Sequence, residues 1–478
     1  MAASMDQLQE RYGDRYKWWV MMTVMIGTMT MSLSSTIVNV ALPDIMHTFD
    51  VSHTMGQWLV TAFLASMAIG MLLNIWMVDR FGPRTTYMGS LLVFVIAALA
   101  GGFAVNFGML IVVRIIQGLI AGMVQPLAML MLYAVFPVNQ CGQAMGLYAM
   151  GVVLGPTVGP VVGGVLVDWW SWRAVFLVVL PFCLAAFYMG STFLSRPASA
   201  PHVHRRLDSL GILLLCGWMV ALLWGLSEGP HLGWASSPVL ISLLAAVVLF
   251  IAFALRQLRS RSPLLALGIF RYPGFGPAFI VAMLTGAGLF GSVYLVPMLV
   301  QTAMGESASA AGMLLMPAGL AMALSFPVIG RLTDRVLPKI LVAGGLVVFA
   351  VSCVVLSEAD AGTSLALIAL MAAFGRVGLA MTMPPVVIGA VSIVPQEMVN
   401  QATGLVSFAR QFGGSLGVSL SAILLQEQTH WTSGLGVPLT FPGYQDAFAL
   451  MALFYLLGLY PMAMMKNPPP ERQEATAA

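Results

Sequence analysis

The sequence predicts an all-α polytopic membrane protein, and three observations carry that prediction. The 478 residues are 59% hydrophobic and only 8% charged, where a soluble globular chain sits near 25% charged. The apolar residues are gathered into about fourteen runs, each long enough to cross a bilayer as a helix. Lys and Arg collect in alternate connections, as expected when positive charge sets topology.

In chain order, Met1–Lys17 is polar and carries both signs of charge. No cleavable signal is apparent, so the first apolar run reads as a retained span. Approximate span limits are 18–42, 56–78, 86–106, 108–135, 143–167, 173–194, 209–229, 237–257, 275–300, 309–330, 339–358, 364–393, 402–426 and 446–465. Most connections are short, which makes consecutive spans antiparallel neighbours. Longer charged connections, Arg196–Asp208 and Arg256–Pro273, set spans seven and eight apart from two groups of six. The expected organisation is therefore 1–195 (six-helix bundle), 196–265 (two additional helices) and 266–478 (second six-helix bundle). With the N-terminus inside, the inner face collects Arg11, Arg15, Lys17, Arg80, Arg84, Arg196, Arg205, Arg206, Arg256, Arg259, Arg261, Arg271, Arg331, Arg335, Lys339, Lys466 and Arg472. The outer face holds Arg173, so both termini are expected to be cytoplasmic. Cys141, Cys183, Cys216 and Cys353 are scattered, three of them within apolar runs, and read as buried small residues rather than a disulfide or metal framework.

Span five is built to be approached. Gly151, Gly155, Gly159 and Gly163 recur at steps of four, leaving a bare groove along one helix face that a second helix can meet backbone to backbone. Gly164 adjoins it, and Pro156 and Pro160 each remove a helical hydrogen bond and favour a bend.

Polar side chains within spans are costly and point to function. In span four, Arg114 shares a helical stripe with Gln117, Gly118, Ala121 and Gln125, either a cavity wall or an arginine satisfied by neighbouring carbonyls. Arg376 stands between Gly375 and Gly378 and divides evenly between cavity lining and structural pairing, while Arg410, on a face with Gly413 and Gly417, favours packing. Tyr294 and Gln301 in span nine are further wall candidates. Carboxylates fall at span ends and loops; Glu228, near the outer end of span seven, comes closest to the interior and is the candidate proton carrier. No histidine lies mid-span. Buried arginines in place of a buried carboxylate favour neutral or weakly acidic amphipathic substrates over lipophilic cations. The 35 methionines read chiefly as lipid-facing or interhelical filler, with a repacking ligand surface as the alternative.

An internal echo relates the two groups of six. Asp79-Arg80-Phe-Gly82-Pro83-Arg84 follows span two, and Asp334-Arg335-Val-Leu-Pro338-Lys339 follows span ten. Repeated halves about an axis normal to the membrane are a transporter architecture.

These residues resemble the major facilitator superfamily, in its fourteen-helix drug:proton antiporter branch (EmrB/QacA-like). The stretch Gly151–Gly164 looks like the antiporter motif of helix five, and Asp79–Arg84 like the loop 2–3 motif, with Ile75 where a glycine is usual. Arg114-Ile-Ile-Gln117-Gly118 looks like the helix-four motif, and Ser35-Thr36-Ile37-Val38-Asn39-Val40-Ala41-Leu42-Pro43 is similar to the helix-one signature. Asp208–Gly211, Gly229–Trp234, Leu295–Gln301, Ala311–Pro317 and Arg410–Gly417 agree with later helices. The resemblance implies a major facilitator fold of fourteen helices in the inner (plasma) membrane. It also implies a substrate pathway touching Ser34 and Asn39, and an inner gate at Asp79, Arg80, Gly82, Arg84, Asp334 and Arg335. The family pattern reads Leu-Asp where this chain reads Leu33-Ser34, so the usual helix-one carboxylate is replaced by serine.

The expected function is secondary efflux of small lipophilic molecules by alternating access, with protons as the coupled partner. Without the helix-one Asp, a proton would ride on Glu228, on an inner carboxylate or on the substrate itself. An uncoupled facilitator or importer on the same fold, and a non-transporting membrane sensor, are the alternatives. No metal cluster, nucleophile–base pair, ATP-binding loop or cofactor motif is visible, and no nucleic-acid partner is implied. The connection of about 20 residues between spans thirteen and fourteen leaves limited outer surface for a periplasmic adaptor.

Overall fold

A computed structural model describes residues 5–51, 53–195, 208–260, 265, 267–306, 308–360, 362–433 and 442–465. Among these residues the longer elements are all α-helices, and no strand occurs. Arg196, Arg205, Arg206, Arg261, Lys466 and Arg472, which contribute to the expected charge bias, lie outside the described residues. The chain forms two compact units: Met1–Asp208 together with Glu397–Leu405, and Ser209–Gln396 together with Val406–Ala478.

The first unit contains α1 (Met5–Tyr12), α2 (Tyr16–Phe49), α3 (His53–Phe81), α4 (Pro83–Gly102), α5 (Phe107–Val135), α6 (Cys141–Trp169), α7 (Ala174–Leu177) and α8 (Val179–Phe193). The second contains α9 (Ser209–Leu232), α10 (Ser237–Arg259), α11 (Phe275–Met298), α12 (Ala308–Thr333), α13 (Pro338–Ser357), α14 (Leu365–Ser392), α16 (Pro442–Leu457) and α17 (Leu459–Met464), with most of α15 (Val399–Ser433). Thirteen helices among the described residues are long and apolar enough to cross a membrane. The remaining expected span, 402–426, lies within α15, a continuous helix of 35 residues. Its first turns carry Asn400, Gln401, Ser407, Arg410 and Gln411, which dilute its apolar character.

Local chemistry sets the boundaries. Gly82 adopts φ 77° between α3 and α4, a left-handed turn that a side chain would strain, and Pro83 opens α4 with its ready-made helical φ. Asn106 caps α5 by accepting from the Met109 N–H at 2.8 Å. Helix α2 runs through Pro43 to Phe49, beyond the limit of 42 read from the sequence. Proline forfeits one backbone bond, and the turn after it buries Ile45 in a cluster with Leu59, Phe107 and Trp172, which offsets that loss. Span six is divided into α7 and α8, and span fourteen into α16 and α17 at Gly458.

Outward faces are apolar. On α10 the residues Leu240, Ile241, Leu244, Val247, Val248 and Ile251 are exposed, whereas Val239, Ala246, Phe253 and Gln257 are buried. A helix whose solvent-facing side is more apolar than its packed side is made for lipid. The molecule is a polytopic membrane protein.

Candidate functional site

In the first unit, two helix pairs pack at backbone distance and place the polar residues. The glycine groove of α6 receives α2: a Cβ on Gly155 would stand 2.7 Å from the Met29 carbonyl oxygen, and one on Gly163 3.0 Å from that of Ile37. Gly151 abuts Met25 and Gly159 abuts the Thr36 hydroxyl, while Gly164 lies at the groove's margin. Helix α6 is continuous through Pro156 and Pro160. Because Pro160 has no N–H, the Pro156 carbonyl loses its helical donor. The Thr36 hydroxyl donates to that oxygen at 3.4 Å, sharing its one proton with the Leu33 carbonyl at 3.4 Å, so α2 partly satisfies a group that the proline of α6 left open.

The second pair is α3 and α5. Gly118 lies against the Phe63 carbonyl, Gly122 against that of Met67, and Gly70 against that of Leu119. This contact draws Arg114 into the interior, where it is fully buried. Its Nε donates to the Leu59 carbonyl at 3.0 Å. Its Nη1 donates to the Ser34 carbonyl at 3.0 Å and to Gln117 Oε1 at 3.4 Å. The guanidinium lies over the Phe63 ring, 4.1 Å from its centroid, a cation–π contact in a desolvated setting. One charge thus ties α2, α3 and α5 together. Among the described residues, Arg114 Nη2 and Gln117 Nε2 are buried with no hydrogen-bond partner. Gln125, two turns on, is buried, and its backbone carbonyl accepts from the Tyr148 hydroxyl at 3.3 Å. Ser34 is buried, whereas Asn39, on the same helix, is exposed.

At the end of α3, the start of α15 closes against the loop motif. Asn400 Nδ2 donates to Asp79 Oδ1 at 3.4 Å and to the Ile75 carbonyl at 3.3 Å, and Asn74 Nδ2 donates to Asn400 Oδ1 at 3.3 Å. Arg84 donates to the Ser191 carbonyl at 2.7 Å, and Arg80 lies 5.6 Å from the centroids of Trp76 and Phe81. Ile75, where the family motif has glycine, contacts the site of Gly404, at 3.1 Å from its ideal Cβ.

In the second unit, Arg376 on α14 is buried and donates through Nη1 to the Leu289 carbonyl of α11 at 3.4 Å. It borders a small cavity with Ser292, Phe349, Ser352, Cys353 and Phe448. Tyr294 is half-buried, and Gln301 is exposed on a π-helical turn, Leu299–Ala303, that follows Pro297. Arg410 packs at a crossing of α11 and α15, where Gly286 lies against its carbonyl oxygen. Asp334, just past α12, is half-buried, and Arg335 is exposed. Glu228 is half-buried on α9, which the Ser242 hydroxyl of α10 ties at the Ala221 carbonyl, 2.7 Å away.

Three participants were missed in the sequence: Phe63, Asn74 and Asn400. The two asparagines carry the same signal as Arg114, being polar groups in or beside apolar runs. Phe63 carried no signal, since a ring beneath a guanidinium reads like any core aromatic.

The Major Facilitator Superfamily model matches residues 24–418. An uncharacterized MFS-type transporter of Bacillus subtilis, YcnB, is 30% identical over 456 residues, 95% of this chain and 96% of that protein. The tetracenomycin C resistance and export protein of Streptomyces glaucescens is 31% identical over 412 residues, 85% of this chain and 76% of that one. Among solved structures, the proton:xylose symporter XylE superposes with a TM-score of 0.68 over 97% of this chain and 99% of its own, at 14% identity.

Proposed function

This chain belongs to the major facilitator superfamily, a family of secondary transporters rather than enzymes, and we propose that it exports small amphipathic molecules by alternating access. The observation that carries the reading is the Arg114 site. A fully buried guanidinium is held by carbonyl oxygens and a ring rather than by a carboxylate, beside two unspent donors. Such a site suits an acceptor group on a neutral or weakly acidic molecule and opposes a lipophilic cation. The name of the Streptomyces relative, a resistance and export protein, supports the direction of transport. The positive-inside bias supports an inner-membrane orientation with both termini cytoplasmic.

Asn400 bound to Asp79 supports the inner gate: a neutral amide latch, made and broken at modest cost in hydrogen bonds. Asp334 and Arg335 would serve the matching turn. With serine at position 34, proton coupling passes to Glu228, and the absence of the helix-one carboxylate favours an uncoupled facilitator as the second reading.

The test is transport of tetracenomycin C in proteoliposomes under an imposed pH gradient. Coupled export drives accumulation against the drug's own gradient, and Glu228→Gln abolishes the drive while leaving downhill flux. Flux that ignores the pH gradient and stops at equal concentrations establishes the uncoupled reading, and no flux in either direction sinks transport of this class of molecule.

A further inference from the structure

Arg376 occupies, in the last six spans, the place that Arg114 occupies in the first six. Each stands on the fourth span of its group, and each donates Nη1 to a carbonyl on that group's first span, Ser34 on α2 and Leu289 on α11. The surroundings differ. The guanidinium of Arg376 offers five N–H donors, and among the described residues its one hydrogen bond is the 3.4 Å contact to Leu289. The rest of the group borders the cavity, which has room for about one water molecule.

The walls decide what fits. The Ser292 hydroxyl donates to the Leu289 carbonyl at 3.2 Å and the Ser352 hydroxyl to the Met371 carbonyl at 2.7 Å. Both serines therefore spend their protons on backbone, and the strong donors facing the cavity belong to Arg376. Phe349, Phe448 and Leu315 stand among the lining residues and help make the wall mostly apolar, which strengthens any charge-assisted bond formed there. We propose that Arg376 and this cavity form a recognition subsite for a single oxygen acceptor, the carboxylate or carbonyl of an amphipathic molecule. This rests on the export reading for its substrate and extends it to a second, separately placed arginine.

The experiment measures binding and needs no gradient, so its failure is distinct from failure of export. Purified full-length protein is heated with sodium benzoate, with methyl benzoate, and with sodium chloride at equal ionic strength. Benzoate is expected to raise the unfolding midpoint saturably, methyl benzoate less, and chloride not at all. Arg376→Gln should weaken the benzoate response at least about tenfold, the loss of one charge-assisted bond. If that variant does not fold, Arg376→Lys, which keeps the charge without the fork, should still bind benzoate several-fold more weakly than wild type. No benzoate shift in the wild type, or equal shifts in wild type and variant, overturns the proposal.

Discussion

Arg114 and Arg376 are two answers to the same problem of keeping a guanidinium inside a membrane protein. At Arg114 the neighbours were brought to the charge. Glycines at 118 and 122 let α3 press against α5, and two carbonyls, an amide and a ring reach the group, leaving Nη2 without a partner among the described residues. At Arg376, although Gly378 lets α14 meet α13 at backbone distance, one carbonyl is within reach and a cavity takes up the remaining space. The first arrangement resembles a rivet and the second a socket. The difference teaches that a buried arginine is defined by the backbone around it, since the charge itself cannot be removed by titration at accessible pH.

The largest expected effect comes from disturbing what seals the rivet. A methyl group on Gly118 meets the Phe63 carbonyl and the Ser66 hydroxyl, and the carbonyl is backbone in the middle of a helix. Gly118→Ala is therefore expected to cost about 3 kcal/mol or more, the upper range for overpacking, read as a fall in unfolding midpoint or loss of monodisperse protein. At the socket, a methyl on Gly375 stands 2.7 Å from Ser352 Oγ and 3.2 Å from its Cβ, so the Ser352 side chain must give and its bond to the Met371 carbonyl is disturbed, but no backbone atom is met. Gly375→Ala should cost less, about 1–2 kcal/mol. Equal penalties would mean that the two sites are sealed alike.

The next effect concerns the forks themselves. Arg114→Lys replaces three directed donors to Leu59, Ser34 and Gln117 with one compact ammonium that cannot span α2 and α3. Hydrogen bonds to charged groups contribute about 1.5–3 kcal/mol each, so a loss of about 2–4 kcal/mol is expected. Arg376→Lys gives up one long bond, and about 1 kcal/mol is expected. Thermal unfolding in one detergent orders the pair, and a larger loss at Arg376 would reverse the comparison.

Much of this was legible in the sequence, for physical reasons that differ by residue. A bilayer allows few solutions for a backbone, so runs of apolar residues named the helices almost directly. The glycine period in span five reported a groove because missing side chains are visible in sequence, and α2 fills that groove. Buried arginines were legible as costly residues. Their partners were not: carbonyls of Leu59, Ser34 and Leu289 are present in every residue, and only the fold selects which oxygen faces the charge. The Asn74–Asn400 bond joins residues 326 apart in the chain, and no local pattern predicts such a partner. The expected bend at Pro156 and Pro160 takes the form of a continuous α6, with Thr36 partly supplying the donor that Pro160 lacks, a repair made by a different helix.

The smallest effect tests which part of Ser34 matters. Its carbonyl, not its hydroxyl, accepts from Arg114, and any residue at this position supplies that oxygen. Ser34→Ala should leave the unfolding midpoint within about 0.5 kcal/mol of wild type and transport unchanged. A strong loss of transport in Ser34→Ala would place the hydroxyl itself on the substrate path and make the serine a contact rather than a spacer.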